Sequence, residues 1–220
     1  MWLARMTRPD IAYQVGALAR VMHNPSKKHW AATTHLIRYV AHTREMGLVY
    51  KRNHNVTVPG QWKPTVWTDA TWAPPYGDLT DNFRSTTGWL TQFGQNTISW
   101  ASHRQHATAH SSSESEWYAA GDGGKEAAHL RKLMFDFGSP FNGPINLRCD
   151  NQSTIKQTVN AVDQSQRYIG LRSHWIRREC NNNKLRLEFV PSSEQRADAL
   201  TKNLPLPTFE KLRPLIGVAA

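Results

Sequence analysis

Asp150 closes the short apolar run "PINLRCD" and precedes the polar, helix-friendly "NQSTIKQ". A lone acid in such a place is ordinarily a helix cap or a solvated strand end. Three more acids sit where the chain changes element: Asp69 inside "TVWTDATWA", Glu116 early in a long helical stretch, and Asp198 at the start of a closing one. Hard divalent cations such as Mg²⁺ take oxygen ligands and keep several waters. Two of them about 3.5–4 Å apart can activate a water and stabilise the leaving oxygen of a phosphodiester. Convergent carboxylates would therefore suit a two-metal nuclease. With seventeen Asp plus Glu in the chain, spacing alone leaves many other sets of four open.

The elements that must position these acids can be read from periodicity. Ile11, Val15, Leu18 and Val21 or Met22 recur at helical spacing. A second helix follows the Asn24, Pro25 breaker, with Trp30, Leu36, Ile37 and Val40 on its apolar side. "GLVYKR" reads as a strand and residues 53–64 as a connector. This first piece has a thin core and should lean on something else. After Pro64 the rhythm changes: "TVWTDATWA" is a strand, followed by a loop rich in Pro, Gly and Asp. "STTGWLTQFG" and "NTISWASH" are two more strands parted by Gly94 and Gln95. Residues 111–137 read as one long helix, opened by a Ser cluster with early Glu residues and weakened by Gly121, Gly123 and Gly124. "PINLRCD" and "KLRLEFVP" are strands, "STIKQTVN" and "LRSHWIRREC" short helices, and "EQRADALTKNL" a closing helix ended before Pro205. The outline is α/β: a mixed sheet covered by helices.

Composition narrows the setting. A hydrophobic fraction of 39% with nine Trp supports a real core in 220 residues and departs from the composition of disordered chains. The net charge of +10 favours polyanionic partners. Cys149 and Cys180 lack metal-like spacing and read as free thiols of a reducing compartment. No apolar run approaches the roughly 18 residues of a membrane span, and "MWLARMTRPD" lacks a signal-peptide pattern. An intracellular location away from membranes is expected.

Taken together the motifs resemble a known family. "TRPDIAYQVGALARVMHNPSKKHW" followed by "RYVAHTREMGLVY" is similar to the segment closing the reverse transcriptase of copia-type LTR retrotransposons. "WTDATWA", "RSTTGWL", "ISWASHRQ", "SSSESEWYAA", "CDNQSTI" and "RADALTKNLP" resemble, in order, the motifs of the ribonuclease H domain that follows it. The resemblance implies a ribonuclease H-like fold: a five-stranded mixed sheet flanked by helices, preceded by a small helical connection segment. The implied division is residues 1–60 for the end of the reverse transcriptase, 61–205 for the ribonuclease H domain, and 206–220 for a tail.

It also implies two Mg²⁺ ions (Mn²⁺ being an alternative) held by Asp69, Glu116, Asp150 and Asp198, and cleavage of the RNA strand of an RNA–DNA hybrid. The polymerase portion of the same polyprotein would be a partner, and a cytoplasmic virus-like particle the setting. Glu114 is the rival to Glu116. Two residues apart on a helix they point about 200° apart, so only one can face the site. Glu116 is preferred because the family's acid directly precedes an aromatic or apolar residue and small residues, here Trp117, Tyr118 and Ala119. Glu114 then reads as a first-turn acid favoured by the helix dipole. Two departures stand out. The family's Lys-His-Ile-Asp run is here Arg167, Tyr168, Ile169 and Gly170, and Thr71 replaces a second acid common in the strand of Asp69.

Other residues have blander alternatives. His103, His106 and His110 suit a polar rim near the nucleic-acid backbone better than a zinc site, since no Cys accompanies them. Arg84, Ser85, Arg104, Asn151, Gln152 and Ser153 are candidates for contacts to the backbone and 2′-hydroxyls, or else strand-edge and capping residues. Lys27, Lys28, Arg177 and Arg178 could track phosphates, though such runs are usually solvated helix faces. Trp62, Trp67, Trp72, Trp89, Trp100 and Trp117 read mainly as packing, and Cys149, facing away from its neighbour Asp150, as core. A non-catalytic nucleic-acid-binding remnant and a strand-transfer enzyme of related fold are the rival functions. The early helical Glu, directly after the first Asp, favours ribonuclease H order over strand transfer.

Overall fold

The computed structural model describes residues 1–52, 63–72, 83–159 and 171–220, the side chains at 157–159 and 171–173 excepted. Trp62, most of the 53–64 connector, the Pro/Gly-rich loop and the 167–170 run lie outside the described residues.

Five strands make the central sheet: β2 (Pro64–Thr71), β3 (Thr86–Phe93), β4 (Asn96–Arg104), β5 (Ile145–Cys149) and β6 (Leu185–Phe189), in the order β4-β3-β2-β5-β6. β2 and β4 both run antiparallel to β3, whereas β5 pairs parallel with β2 and β6 parallel with β5. The β3–β4 hairpin turns through Gly94 and Gln95. Gly94 takes φ 62°, which a two-residue hairpin can demand at its first turn position. The central strand β2 is buried on both faces over most of its length, and alternation along it builds two cores. Val66 joins Trp117, Ala120, Ala127, Ile145, Leu147 and Ile176 on one side, while Trp67 joins Leu90, Ala197, Leu200, Ile216 and Val218 on the other.

The first core lies beneath the long helix α4 (Ser112–Asp136) and α6 (Leu171–Asn181), with α5 (Gln152–Val159) following β5. Ser111 caps α4 by accepting from the Glu114 N–H at 3.1 Å. The helix glycines that weaken local propensity serve close packing. A Cβ on Gly123 would collide with Thr68 of β2, and one on Gly124 would lie 2.9 Å from the Trp175 ring of α6.

The opposite sheet face is covered by a 3₁₀ turn, Arg196–Leu200, and by the two chain ends. "EQRADALTKNL" is therefore not the closing α-helix that its alanines and leucines suggest. The last α-helix, α7 (Leu206–Leu215), begins after Pro205 and carries Pro207 in its first turn. Proline has no N–H to lose there and its fixed φ suits the start of a helix. Beyond α7, β7 (Val218–Ala219) pairs antiparallel with β1 (Gly47–Leu48), so "GLVYKR" supplies only a two-residue strand.

The N-terminal piece comprises α1 (Trp2–Met6), α2 (Ala12–Arg20) and α3 (Lys27–His42). It leans on the sheet: Ala12, Met46 and Leu48 pack against the second core, and the Trp100 indole donates to the Ala4 carbonyl at 2.8 Å. Its anchor is buried and polar. Arg8 grips Asp10 through two hydrogen bonds of 2.9 and 2.8 Å and also donates to Thr43, while the Tyr39 hydroxyl donates to Asp10 at 2.7 Å. The apolar side read for α3 is not closed over: Trp30 is 73% and Ile37 64% exposed. Periodicity marks a face as apolar without stating that anything covers it. Among the described residues no helix is long and apolar enough to cross a membrane.

Candidate active site

At one end of the sheet three carboxylates converge. Asp69 is supplied by β2, Asp150 is the first residue beyond β5, and Glu116 lies in the second turn of α4. One carboxylate oxygen of each lies within 4.8 Å of the other two. The parallel pairing of β2 with β5 sends both strands toward the same end, and α4 begins above it. Asp198, in the 3₁₀ turn, stands beside Asp69 and raises its proton affinity. It is held in an ion pair with Lys202, whose Nζ lies 2.8 Å from Asp198 Oδ1 and 4.0 Å from Asp69 Oδ2. The structure thus brings three of the four predicted acids into one tight group and places the fourth alongside, tied to a lysine.

Each acid has a designated donor. Thr201 donates its hydroxyl to Asp69 Oδ2, the Ala70 N–H donates to Glu116 Oε1 at 3.2 Å, and Ser192 donates to Asp150 Oδ2 at 2.8 Å. The second Glu116 oxygen, Oε2, is buried and has no hydrogen-bond partner among the described residues. A buried acceptor with nothing to accept is costly, and here it belongs to a group of hard oxygen donors suited to a divalent cation. The residues present fit a metal site.

Glu114 is buried too, but it faces elsewhere. It accepts from the His110 N–H at 2.7 Å and from the Tyr118 hydroxyl at 3.2 Å, completing the start of α4. Thr71, in place of a second acid, donates to the Thr201 carbonyl at 2.9 Å.

Crowding shifts the proton affinities. Burial, then Asp198, pushes Asp69 up to about 7, against the pull of Lys202 and Thr201. Burial, then Asp69 and Asp150, holds Glu116 well above the usual carboxylate range. Asp198 is raised, chiefly by burial, with Lys202 opposing. Burial pulls Lys202 down, but Asp69 and Asp198 outweigh it and its pKa ends raised. Cys149 is buried in the core with its thiol pushed up to about 12, first by burial and then by Glu116, so it is no nucleophile.

The predicted nucleic-acid contacts divide. Arg84 and Arg104 are half-buried at the acid-bearing end of the β3–β4 hairpin, where Thr71 pairs with Thr86 and Thr86 with Arg104. Gln152 and Ser153 are exposed in the first turn of α5, directly after Asp150. Asn151 caps that turn, its Oδ1 accepting from the Thr154 N–H at 3.1 Å. Ser85 does not belong with them. It is fully buried where β3 begins between two covered faces, its carbonyl accepting from the Gln105 N–H at 2.8 Å. The three histidines do not meet in a metal group among the described residues: His103 pairs with Asp122 at 3.2 Å, while His106 and His110 are exposed. Trp67 and Trp117 are core, Trp89 and Trp100 are half-buried, and Trp72 donates to the Ala109 carbonyl at 3.1 Å. Sequence reasoning missed Thr201, Ser192 and Lys202. For Lys202 a signal existed, since it stands four residues after Asp198 within "RADALTKNLP".

No protein-family model matches the chain. It is 34% identical over 219 residues to the retrovirus-related Pol polyprotein from transposon TNT 1-94 of Nicotiana tabacum, a match covering 99% of this chain and 16% of that relative. It is 32% identical over 213 residues to the corresponding polyprotein from transposon RE2 of Arabidopsis thaliana, covering 96% of this chain and 14% of that one. The chain belongs to the copia-type retrotransposon Pol family. It spans only 14–16% of the length of these Pol relatives. Its mixed five-stranded sheet flanked by helices is the architecture expected from the sequence. RNase H1 from the halophilic archaeon Halobacterium salinarum is similar at 20% identity with a TM-score of 0.44, covering 63% of this chain and 94% of that one.

Proposed function

We propose that this Pol-family chain is a ribonuclease H that hydrolyses the RNA strand of RNA–DNA hybrids. Asp69, Glu116, Asp150 and Asp198 would hold two divalent ions, Mg²⁺ by preference, with Mn²⁺ an alternative of similar ligand demand. The observation that carries this reading is the convergent carboxylate group, two of its three acids buried, with Glu116 Oε2 unpartnered among the described residues. When bound, such an ion pair supplies an activated water and neutralises charge on the leaving 3′-oxygen.

The chain's own residues supply the positioning. Thr201, the Ala70 N–H and Ser192 each hold one oxygen of an acid, and one oxygen of each acid lies within 4.8 Å of the other two. Preorganised ligands of this kind need no rearrangement when charge develops. Arg84 and Arg104 flank the acids on one side and Gln152 and Ser153 on the other. A hybrid backbone laid across this end of the sheet would meet donors on both sides, and the 2′-hydroxyl identifies its RNA strand. The overall charge of +10 favours such a polyanion.

The test is cleavage of an end-labelled hybrid by the purified chain with and without Mg²⁺. We expect Mg²⁺-dependent cutting of the RNA strand, abolished in Asp150→Asn with little change in folding. Salt-sensitive hybrid binding without any cutting would replace this reading with a non-catalytic binder. Retained activity in Asp150→Asn would demand another ligand set.

A further inference from the structure

The acid cluster has a cation already inside it. Lys202 Nζ lies between Asp198 Oδ1, at 2.8 Å, and Asp69 Oδ2, at 4.0 Å. The Lys202 N–H also donates to the Asp198 carbonyl at 3.3 Å, so the backbone turn itself delivers the side chain to this place. Among the described residues the other donors to the acids (Thr201, Ser192 and the Ala70 N–H) are neutral. They orient carboxylates but cannot offset the charge of four of them.

We propose that Lys202 is a resident counter-cation, which stabilises Asp69 and Asp198 before a divalent ion arrives and competes with that ion for them. This rests on the reading of the cluster as a metal site. Residue type supports it. Lysine presents a compact charge on a flexible stem and makes no planar fork with a carboxylate, unlike arginine. Its departure would disturb little packing, since 40% of its side chain is exposed while those of Asp69 and Asp198 are only 4% and 9% exposed. The contrast within the same molecule is Arg8 on Asp10, a buried two-point grip that no arriving ion could replace. A tether that is strong enough to quiet the acids and loose enough to leave suits a site that must exchange one cation for another.

The experiment is a thermal melt of the intact chain across an Mg²⁺ titration, comparing wild type with Lys202→Met. Lys202→Gln serves as a second variant with a polar tip and no charge. In EDTA both variants should melt several degrees below wild type. The gap should close at saturating Mg²⁺, and half-saturation should need about tenfold less Mg²⁺ in the variants, a coupling of ordinary size. Mg²⁺ stabilising all three proteins with the same half-saturation would overturn the competition while sparing the metal site. A higher Mg²⁺ requirement in the variants would overturn it in favour of a helper role. Mg²⁺ stabilising none of them would remove the metal site and this inference together.

Discussion

Asp10 and Asp69 are both almost completely buried, at 0% and 3% exposure, yet they are held in opposite ways. Asp10 receives both nitrogens of an Arg8 fork and the Tyr39 hydroxyl, and Arg8 is tied in turn to Thr43. Every charge there has its counterpart within hydrogen-bond reach, and the Arg8 guanidinium is raised above its ordinary value, chiefly by that Asp10 bond. Asp69 instead lies among other acids, with one hydroxyl and a share in one lysine. A matched buried pair fixes a fold, in this case the attachment of the N-terminal helices. An unmatched buried cluster costs stability, and such clusters gather at sites that need a particular charge state. Burial alone does not separate the two. The balance of partners does.

The comparison can be broken at either end. The largest effect expected is on activity: Asp69→Asn should lower hybrid cleavage about a thousandfold or more, on the order of 4 kcal/mol in the barrier. The same variant, melted in EDTA, should be as stable as wild type or more so, because a buried, poorly matched charge has gone. A marked drop in its melting temperature would make Asp69 structural. At the other site, Arg8→Met should cost about 3–5 kcal/mol in denaturant unfolding, since Asp10 is left buried without its cation. Cleavage per folded molecule should persist, because the Arg8 network lies outside the acid cluster. If Arg8→Met left stability unchanged, the attachment would rest on the apolar contacts of Ala12, Met46 and Leu48 instead.

This contrast was only half legible in the sequence. The four acids stood at element boundaries, and the order of the surrounding motifs singled them out. The long α4 and its Ser111 cap were equally plain, because capping and apolar periodicity are local. What holds the acids is not local. Thr201 reaches Asp69 across 132 residues of chain, and Ser192 reaches Asp150 across 42. No spacing rule relates such positions. Asp10 attracted no attention because "RPD" reads as an ordinary helix start, and the two residues that complete its network, Tyr39 and Thr43, lie a helix away. The closing helix was misplaced for a different reason: Pro205 and Pro207 look like a stop when the first turn of a helix accepts them. Ser85 reads as a candidate nucleic-acid contact because sequence gives no sign that it is buried where β3 begins.

The smallest expected effect is the pH dependence of stability without metal, and its sign sharpens the comparison further. Asp69 is pushed up to about 7 from an ordinary 3.8, mainly by burial and then by Asp198, and Glu116 is raised for similar reasons. Between those limits the folded chain holds protons that the unfolded chain has released, so stability must fall as pH rises from about 4 toward 7. An acid stabilised by a matched cation gives the reverse slope. In EDTA, wild type should therefore lose a few degrees of melting temperature over this window relative to Asp69→Asn, on a scale of about 2–4 °C per kcal/mol for a chain of this length. Taking the difference between the two proteins cancels the histidines and other groups remote from Asp69, leaving Asp69 and the acids coupled to it. Saturating Mg²⁺ should flatten or invert the wild-type slope, since ligation favours the deprotonated carboxylates. A wild-type slope equal to that of Asp69→Asn would mean that Asp69 binds its proton equally in the folded and unfolded chains, and a reversed one that a cation matches it.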